Sequence, residues 1–547
     1  MPSLKEYIMR LKRASMAEVF YRAKHRIENK QLRRRAFSEG LTLPVPCIPR
    51  DDWAGLLMPD IQVGVDSIEP EELLKGKIYT LNTGEDSIGQ FETRWRNIFS
   101  GDIKYNGALA DIRAIWEPAR LQHLAKLIIA GQISQPKDVS RIEKAIRDGI
   151  LDWLEKNPFL LGPHYISPME CGLRLPVFVY ALITRNHWSD EDRDMLLDAV
   201  YKHGWWVAGR LSLYASLGNH TICESIGLIF AGAVYRKTAE GKKWLEKGIS
   251  LLQQELSHQV MEDGGPNEQS FNYHRFVLDL YRLAAGFLEK NGLYDCTLWK
   301  PRLTKGENFL KTFMDASGNV PSIGDSDDGY ALAPCVYPKR GDDDFMETRP
   351  CVTFPESGYT VIQSAKRLLF TFDHGSLGMA PLYNHGHADA LSISLSVAGE
   401  QVLVDSGTYR YNGEPEWRRY FKGTRAHNTV NIDGADQAVQ ETGFIWSHPY
   451  KAELLSIIEK NGSIILEAGH DGYARLKHPV YHKRTVILLD ASCFVIRDLF
   501  SGKGNHNFEL NFHLHPDASV QSEDAWLSIR KNNAKVNTDG LVKSNIL

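Results

Sequence analysis

The segment YNHGHADALSISLSVAGEQVLVDSGTYRY, residues 383–411, holds the clearest β-strand pattern of the chain. Apolar and polar residues alternate strictly over 391–397. Such alternation places successive side chains on opposite faces of a strand. An Ala-Gly pair at 398–399 separates this strand from a second apolar run at 401–405. The segment therefore predicts two antiparallel strands joined by a short turn.

The same period of two continues on both sides of this segment, beyond about residue 345. Turn-forming residues separate the runs, and no helical pattern lies between them. Further predicted strands lie at 359–364, 367–373, 427–432, 452–459, 462–467, 483–489, 493–498, 508–514 and 525–530. Many short alternating strands in succession predict an antiparallel β-sandwich.

Upstream, the period changes to that of a helix. Predicted helices lie at 119–131, 138–156, 170–185, 189–203, 219–236, 240–260, 267–291 and 304–314. The breaks between them hold helix-ending pairs such as Asn157-Pro158 and Asn291-Gly292. We expect a closed helical array rather than a solenoid, because no fixed-period repeat is evident. The predicted organisation is an irregular lead-in at 1–89, a helical domain at 90–335 and a sandwich at 350–547.

Composition sets outer bounds on function. The 547 residues are 43% hydrophobic and 24% charged, which excludes collagen, coiled-coil rods and wholesale disorder. The net charge of −4 gives no general attraction to nucleic acid, and no apolar run is long enough to cross a bilayer. The seven cysteines form no CxxC pair, so free thiols are expected rather than a disulfide framework or a thiolate zinc site.

Charge is unevenly distributed, since residues 1–35 hold eleven Lys or Arg against three Glu. Met16, Val19, Phe20, Ala23 and Ile27 recur there at helical spacing. A basic amphipathic helix can lie on an anionic membrane, bind a polyanion or pack its apolar stripe on the protein, and the sequence leaves these alternatives open. No secretory signal pattern is seen, so a cytoplasmic location is expected, with a periplasmic one as the alternative.

Histidines cluster in and shortly after the segment 383–411. His385 and His387 precede its first strand, Asp405 follows the second, and His427 comes shortly after. Two His and one Asp can fill three positions of a zinc site. An ideal tight hairpin would leave Asp405 several residues away from His387, so the chain before 390 must fold back or the hairpin must be wider. Polar surface histidines remain the alternative.

A second cluster lies at predicted helix starts in the helical region. Asn219 and His220 begin one helix, and Tyr273, His274 and Arg275 begin another after the loop that contains Glu268. Helix N-termini suit anionic ligands. A helix N-cap for Asn219 and an ordinary buried aromatic for Tyr273 are the structural alternatives.

Four motifs together resemble the heparinase II/III-like polysaccharide lyases. They are GNHTICE (218–224), DGGPNEQSFNYHRF (263–276), the segment 383–411 and WRRYFKGTRAHNTVNIDG (417–434). The resemblance covers about 90 through 530 and implies an (α/α) toroid followed by an antiparallel β-sandwich. It also implies β-elimination at a 4-linked uronic acid of an acidic polysaccharide or oligosaccharide.

The resemblance implies a role for each matched residue. Asn219, with His220, would neutralise the uronate carboxylate, Tyr273 would act as base or acid, and His385 would be a second base. The substrate-binding set would be His274, Arg275, Glu268 and Arg425. The set His387, Asp405 and His427 would bind a divalent metal, expected to be zinc with a structural role.

Some features fit more than one interpretation. The run around Asp325 resembles a family loop but also reads as an Asx-rich turn, and Arg418 can grip carboxylates or lie on the surface. A cupin-like metal-dependent enzyme and a non-catalytic glycan-binding or polysaccharide-assembly protein remain the alternative functions. Membrane-surface contact through the basic arm and the oligomeric state stay open.

Overall fold

A computed structural model of the chain describes most of it with side chains. The described residues are 15–38, 41–64, 71, 74, 95–104, 111–133, 136–184, 188–214, 217–315, 318–326, 329–340, 349–364, 368–412, 414–490, 493–523, 526–531 and 534–539. The acidic run at 342–344, where the sequence placed a domain boundary, lies outside them.

Helices dominate the first three fifths of the chain. They are α1 Met16–Ser38, α2 Arg113–Ala119, α3 Gln122–Ile133, α4 Pro136–Lys156, α5 Pro168–Thr184, α6 Asp190–Ala208, α7 Asn219–Val234, α8 Ala239–Gln259, α9 Phe271–Lys290, α10 Lys300–Thr312 and, much later, α11 Pro415–Lys422. Each of the eight predicted helices corresponds to one of α3–α10. The short helices α2 and α11 were not predicted, because each is too short to show a helical period.

Most of the antiparallel strands follow α10, and one short strand precedes α2. They are β1 Ile61–Val63, β2 Val336–Pro338, β3 Cys351–Phe354, β4 Tyr359–Ser364, β5 Leu368–Asp373, β6 Ile393–Val397, β7 Glu400–Leu403, β8 Val430–Ile432, β9 Val439–Thr442, β10 Ile445–Ser447, β11 Ala452–Lys460, β12 Ser463–His470, β13 Val480–Asp490, β14 Cys493–Gly502, β15 Phe508–Leu510, β16 Ser519–Glu523, β17 Trp526–Lys531 and β18 Ala534–Asp539. The predicted fold class, helices followed by antiparallel sheets, is confirmed.

Two of these sheets pack face to face. One has the strand order β3-β4-β5-β6-β7 and the other β11-β12-β13-β14. The buried side chains between them come from alternate positions of both sheets, as expected for a sandwich. They include Ile362, Phe370, Phe372, Ile393, Leu395, Leu466, Val486 and Leu488. This apolar layer fixes the strand register, because a slip by one residue would expose it.

The hairpin formed by β6 and β7 is tight. Val397 pairs with Glu400, and both intervening residues, Ala398 and Gly399, have positive φ, at 54° and 84°. Such values are typical of a two-residue turn that matches strand twist. The chain before residue 393 leaves the sheet and folds back, which was one of the two predicted ways of bringing its histidines near Asp405.

Helix α1 packs by one face onto the loop before α7. Tyr21 donates a hydrogen bond to the Leu211 carbonyl oxygen at 2.6 Å, and Glu28 pairs with Arg210 at 2.7 Å. On the opposite face Met16, Phe20 and Ile27 are exposed. The alternative in which this apolar stripe packs on the protein is therefore wrong, because the helix contacts the loop through Tyr21 and Glu28 and not through the stripe. Membrane-surface contact by the stripe stays a prediction.

The described residues form two compact units. Unit 1 comprises 1–256, 279–299 and 330–341, and unit 2 comprises 257–278, 300–329 and 342–547. Helix α9 therefore begins in unit 2 and ends in unit 1. Among the described residues no helix is both long and apolar enough to cross a membrane, and all seven cysteines are free.

Candidate functional site

Asp325 is the centre of a buried polar cluster in unit 2. Its carboxylate accepts hydrogen bonds from His385 Nδ1, His387 Nε2 and Thr408 Oγ1, each at 3.0 Å. Arg418 adds a bidentate pair at 2.5 and 2.7 Å. Burial alone would raise the pKa of Asp325, but the guanidinium and the two imidazoles hold it well below its usual range. The carboxylate is therefore ionised and orients every donor around it.

The backbone of the same residue ties two distant segments together. The Asp325 amide donates to the His385 carbonyl oxygen at 2.9 Å, and Ser270 Oγ donates to the Asp325 carbonyl oxygen at 2.6 Å. Ser270 also accepts from the Tyr273 amide at 3.2 Å, which fixes the first turn of α9. The start of α9 and the loop with His385 are thus positioned by one residue between them.

Tyr273 and His385 lie against each other. Their ring centroids are 4.1 Å apart, and both side chains are buried. Because a carboxylate only accepts, His385 must carry its proton on Nδ1, and the lone pair is then on Nε2. A tautomer fixed in this way is what a general base needs.

Tyr411 lies next to Tyr273, and Arg418 lies next to Tyr411. Its hydroxyl is 3.0 Å from the Tyr411 hydroxyl, and the Arg418 guanidinium lies over the Tyr411 ring at 4.7 Å. Arg418 is ion-paired and buried, so it does not grip a substrate carboxylate as the sequence allowed. Its guanidinium lies close enough to interact electrostatically with the hydroxyls of Tyr411 and Tyr273.

His274 does not supply that charge. Its Nε2 donates to the Gly264 carbonyl oxygen at 2.8 Å, and burial lowers its pKa to about 4. It is therefore neutral near neutral pH. Arg275 is half-buried and Glu268 is buried in the same region. Arg425 lies on the surface and pairs with Glu509 at 2.7 Å, an exposed pair that a substrate anion could exchange at little cost.

His387, Asp405 and His427 form a group that could hold a metal ion. One ligand atom from each lies within 4.8 Å of the others. His427 Nδ1 donates to Asp405 at 2.9 Å, and this carboxylate outweighs burial and raises the pKa of His427. Burial lowers the pKa of His387 to about 4, so its ring is neutral, as metal binding requires.

The residues present fit a metal ion. His387 Nδ1 and His427 Nε2 are buried and have no hydrogen-bond partner within the described part of the chain. A buried polar atom without a partner costs free energy that a bound cation would relieve. Asp325 acts on this group as well, because its bond to His387 Nε2 leaves Nδ1 as the ligand atom.

Asn219 and His220 belong to unit 1. Asn219 is buried and is the first residue of α7, while Gly218, with φ of 122°, is the N-cap. The N-cap alternative for Asn219 is thus wrong by one position. In the same motif Glu224 accepts hydrogen bonds from the amide and hydroxyl of Ser212, at 2.6 and 2.7 Å.

Glu224 should make the stability of unit 1 depend on pH. Burial raises the pKa of Glu224 from 4.5 to about 8. Between these values the unfolded chain releases this proton and the folded chain keeps it, so stability falls as pH rises from about 4.5 to about 8. Each pKa unit of difference corresponds to about 1.4 kcal/mol. We expect Glu224→Gln to remove this slope in urea unfolding measured across the pH range.

Glu246→Gln provides the control, because Glu246 is exposed and its replacement does not alter a buried acid. Parallel pH profiles for wild type and Glu224→Gln would contradict the prediction.

Sequence reasoning underestimated Asp325 and Arg418. The side chains that bind the Asp325 carboxylate, Arg418 among them, lie 60 to 93 residues away, so no local pattern reports them. The one available signal was the resemblance of the loop around Asp325 to a family loop.

Comparisons with known proteins agree with this arrangement. The family profiles "Heparinase II/III N-terminus" and "Heparinase II/III-like, C-terminal" match residues 134–331 and 346–542. Heparin-sulfate lyase of Bacteroides stercoris is 24% identical over 422 residues, covering 66% of this chain and 59% of that protein. Heparin-sulfate lyase of Pedobacter heparinus is 23% identical over 397 residues, covering 67% and 58%. The chain thus spans less than two thirds of the length of these curated relatives.

Solved structures share the fold. A crystal structure of heparinase III has a TM-score of 0.62 at 17% identity, covering 94% of this chain and 82% of that one. The heparan sulfate lyase HepC from Pedobacter heparinus has a TM-score of 0.51 at 16% identity, covering 93% and 79%. At such identities the likeness concerns fold alone.

Proposed function

Because the chain belongs to the heparinase II/III-like family, we propose that it is a carbon–oxygen lyase that cleaves a 4-linked uronic-acid polysaccharide by β-elimination. The observation that carries the proposal is the buried contact of Tyr273 with His385 and Tyr411, organised by Asp325. The names of the relatives point to glycosaminoglycan substrates of the heparan type.

The reaction removes the proton on C5, breaks the bond from C4 to the glycosidic oxygen and protonates that oxygen. A C4=C5 double bond forms in the product. Tyr273 is the proposed acid and base, because its hydroxyl lies beside the Tyr411 hydroxyl and, once ionised, can take the C5 proton and return it to the leaving oxygen. His385 is the proposed base for a C5 proton on the opposite face, because its Nε2 carries the lone pair.

The carboxylate must be neutralised for the C5 proton to leave, since the carbanion would otherwise add a second negative charge beside it. For this role the family resemblance supports Asn219, with His220, and the position of Asn219 at a helix N-terminus is favourable for an anion. Substrate contacts by Glu268, His274, Arg275 and Arg425 stay predictions, as does a cytoplasmic location.

To test the proposal, the protein is incubated with heparan sulfate, hyaluronate and alginate. The absorbance is followed at about 232 nm, where the conjugated C4=C5 product absorbs. A rise with at least one polymer is expected. Absence of unsaturated product with every polymer, together with glycan binding that Tyr273→Phe leaves unchanged, would favour a non-catalytic glycan-binding protein.

A divalent metal, with zinc the first candidate, is proposed for His387, Asp405 and His427. When bound, it would brace the three loops that carry these ligands. We expect about one zinc per chain by elemental analysis, lost in His427→Ala. Chelation should lower the unfolding midpoint, because a ligand at about 1,000 times its Kd stabilises by about 4 kcal/mol. His515→Ala, at a partly exposed histidine, is the matched control.

Bound iron with oxygen-dependent turnover would point instead to a cupin-like enzyme. A chain that holds no metal, with an unfolding midpoint unchanged by chelator, would refute the metal site while leaving the lyase proposal standing.

A further inference from the structure

Helix α11 has the reverse of the usual polarity. Its cations Arg418 and Lys422 are buried, with 2% and 0% of their surface exposed, while Trp417 and Tyr420 are 49% and 42% exposed. Surface helices ordinarily bury their apolar residues and solvate their charges. An inverted helix costs free energy, so its exposed aromatic face calls for a functional explanation.

The buried face fixes α11 to the candidate active site. Arg418 holds Asp325 through two hydrogen bonds and also donates from Nε to the Gly443 carbonyl oxygen at 3.0 Å. Lys422 Nζ donates to the Asn384 carbonyl oxygen at 3.0 Å, next to His385 in the sequence. The orientation of the helix is therefore set by the residues that position His385.

Four aromatic side chains form a cluster, here called the aromatic platform: Trp417, Tyr420 and Phe421 of α11 and Tyr409 of the loop before it. Tyr409 stacks on Phe421 with centroids 5.7 Å apart and contacts Trp417 at 5.9 Å. Trp417 lies 6.1 Å from both Tyr420 and Phe421. Mutual packing holds the rings in place, and Tyr409 remains 56% exposed. Rigid, exposed rings suit a ligand with a flat apolar face.

Cations accompany the aromatic platform. The Arg410 guanidinium lies over the Tyr409 ring at 5.3 Å and pairs with the exposed Glu414 at 3.1 Å, an exchangeable surface pair. Arg419 is exposed on the same helix, and no ion pair of its side chain occurs within the described residues. The chain connects the platform with the candidate site, because Tyr409 is two residues from Tyr411, the partner of Tyr273, and Trp417 precedes Arg418, whose guanidinium lies over the Tyr411 ring. These features favour an anionic ligand that reaches the reacting groups.

We propose that the aromatic platform is a glycan subsite that stacks a sugar ring of an acidic oligosaccharide next to the reacting uronate. The C–H groups on one face of a pyranose carry partial positive charge and meet the negative face of an aromatic ring, while Arg419 pairs with a carboxylate or sulfate. The inference rests on the proposed function, since it assigns an additional contact for the same substrate.

The test compares Trp417→Ala with wild type on a cleaved polymer and on a size series of its oligosaccharides. Truncating an aromatic anchor in a binding site commonly weakens affinity by about tenfold. We expect KM to rise about tenfold on long substrates with kcat little changed, no change on oligosaccharides too short to reach the platform, and recovery in Trp417→Phe. Phe512→Ala, which removes an exposed aromatic outside the platform, should behave as wild type.

Affinity of the same oligosaccharides for Tyr273→Phe, with and without Trp417→Ala, separates the two proposals. Binding that Trp417→Ala weakens, without product from the wild type, would support the platform and refute the lyase. Cleavage with an unchanged KM in both Trp417→Ala and Tyr420→Ala would overturn the platform. If Trp417→Ala loses its native circular dichroism spectrum, Tyr420→Ala alone decides the outcome in the same assays.

Discussion

Tyr273→Phe is expected to lower kcat on a cleaved uronate polymer by about 10²–10⁴-fold, the usual contribution of a positioned acid or base. The change removes one hydroxyl and keeps the ring, whose centroid lies 4.1 Å from that of His385. Substrate affinity should therefore change little, and kcat should account for the loss. Initial rates from absorbance and affinity from calorimetry measure the two effects separately.

Two further variants make this result specific. Tyr411→Phe removes the hydroxyl that lies 3.0 Å from Tyr273, so we expect a smaller loss of rate and a shifted pH profile. Tyr473→Phe removes a buried hydroxyl that donates to the Val430 carbonyl oxygen and should leave kcat unchanged. Equal activity in wild type and Tyr273→Phe would eliminate Tyr273 as the acid and base and leave His385 as the remaining candidate.

The fold could be predicted because the spacing of apolar residues in its strands and helices depends only on nearby residues. The alternation over 391–397 predicted β6, and the helical period upstream predicted α3–α10, since both depend on neighbours within a few residues. The bounds differ mainly at the ends, where capping and tertiary contacts decide the last turn.

The candidate site could be predicted only as a set of residues. The motifs named Tyr273, His385 and the His-Asp-His group, but the residue that connects His385 with His387 is Asp325, 60 and 62 residues away. Likewise the sequence left Arg418 either as a residue that grips carboxylates or as a surface charge, and it gave no signal at Lys422. Their burial depends on a distant carboxylate and on backbone carbonyl groups, which no local pattern reveals.

Asp325→Ala is expected to be the most damaging single change in unit 2. It leaves the buried guanidinium of Arg418 without its carboxylate, and breaking one side of a buried ion pair costs about 3–5 kcal/mol. It also releases His385 and His387, and loss of such supporting contacts costs about 10–100-fold in activity or metal affinity. Chemical unfolding, zinc content and initial rates measure the three effects.

A double variant separates stability from function at this residue. Adding Arg418→Met to Asp325→Ala removes the unpaired charge, so part of the lost stability should return through a favourable coupling free energy. Activity should stay low, because neither His385 nor His387 regains its partner. Asp498→Ala is the comparison: it breaks a buried pair with Arg484 and His482 in the same unit but contacts neither Tyr273 nor His385. It should lose comparable stability and retain more activity. If the double variant regained both stability and activity, Asp325 would be only an ion-pair partner, and the positioning of His385 would have to come from other contacts.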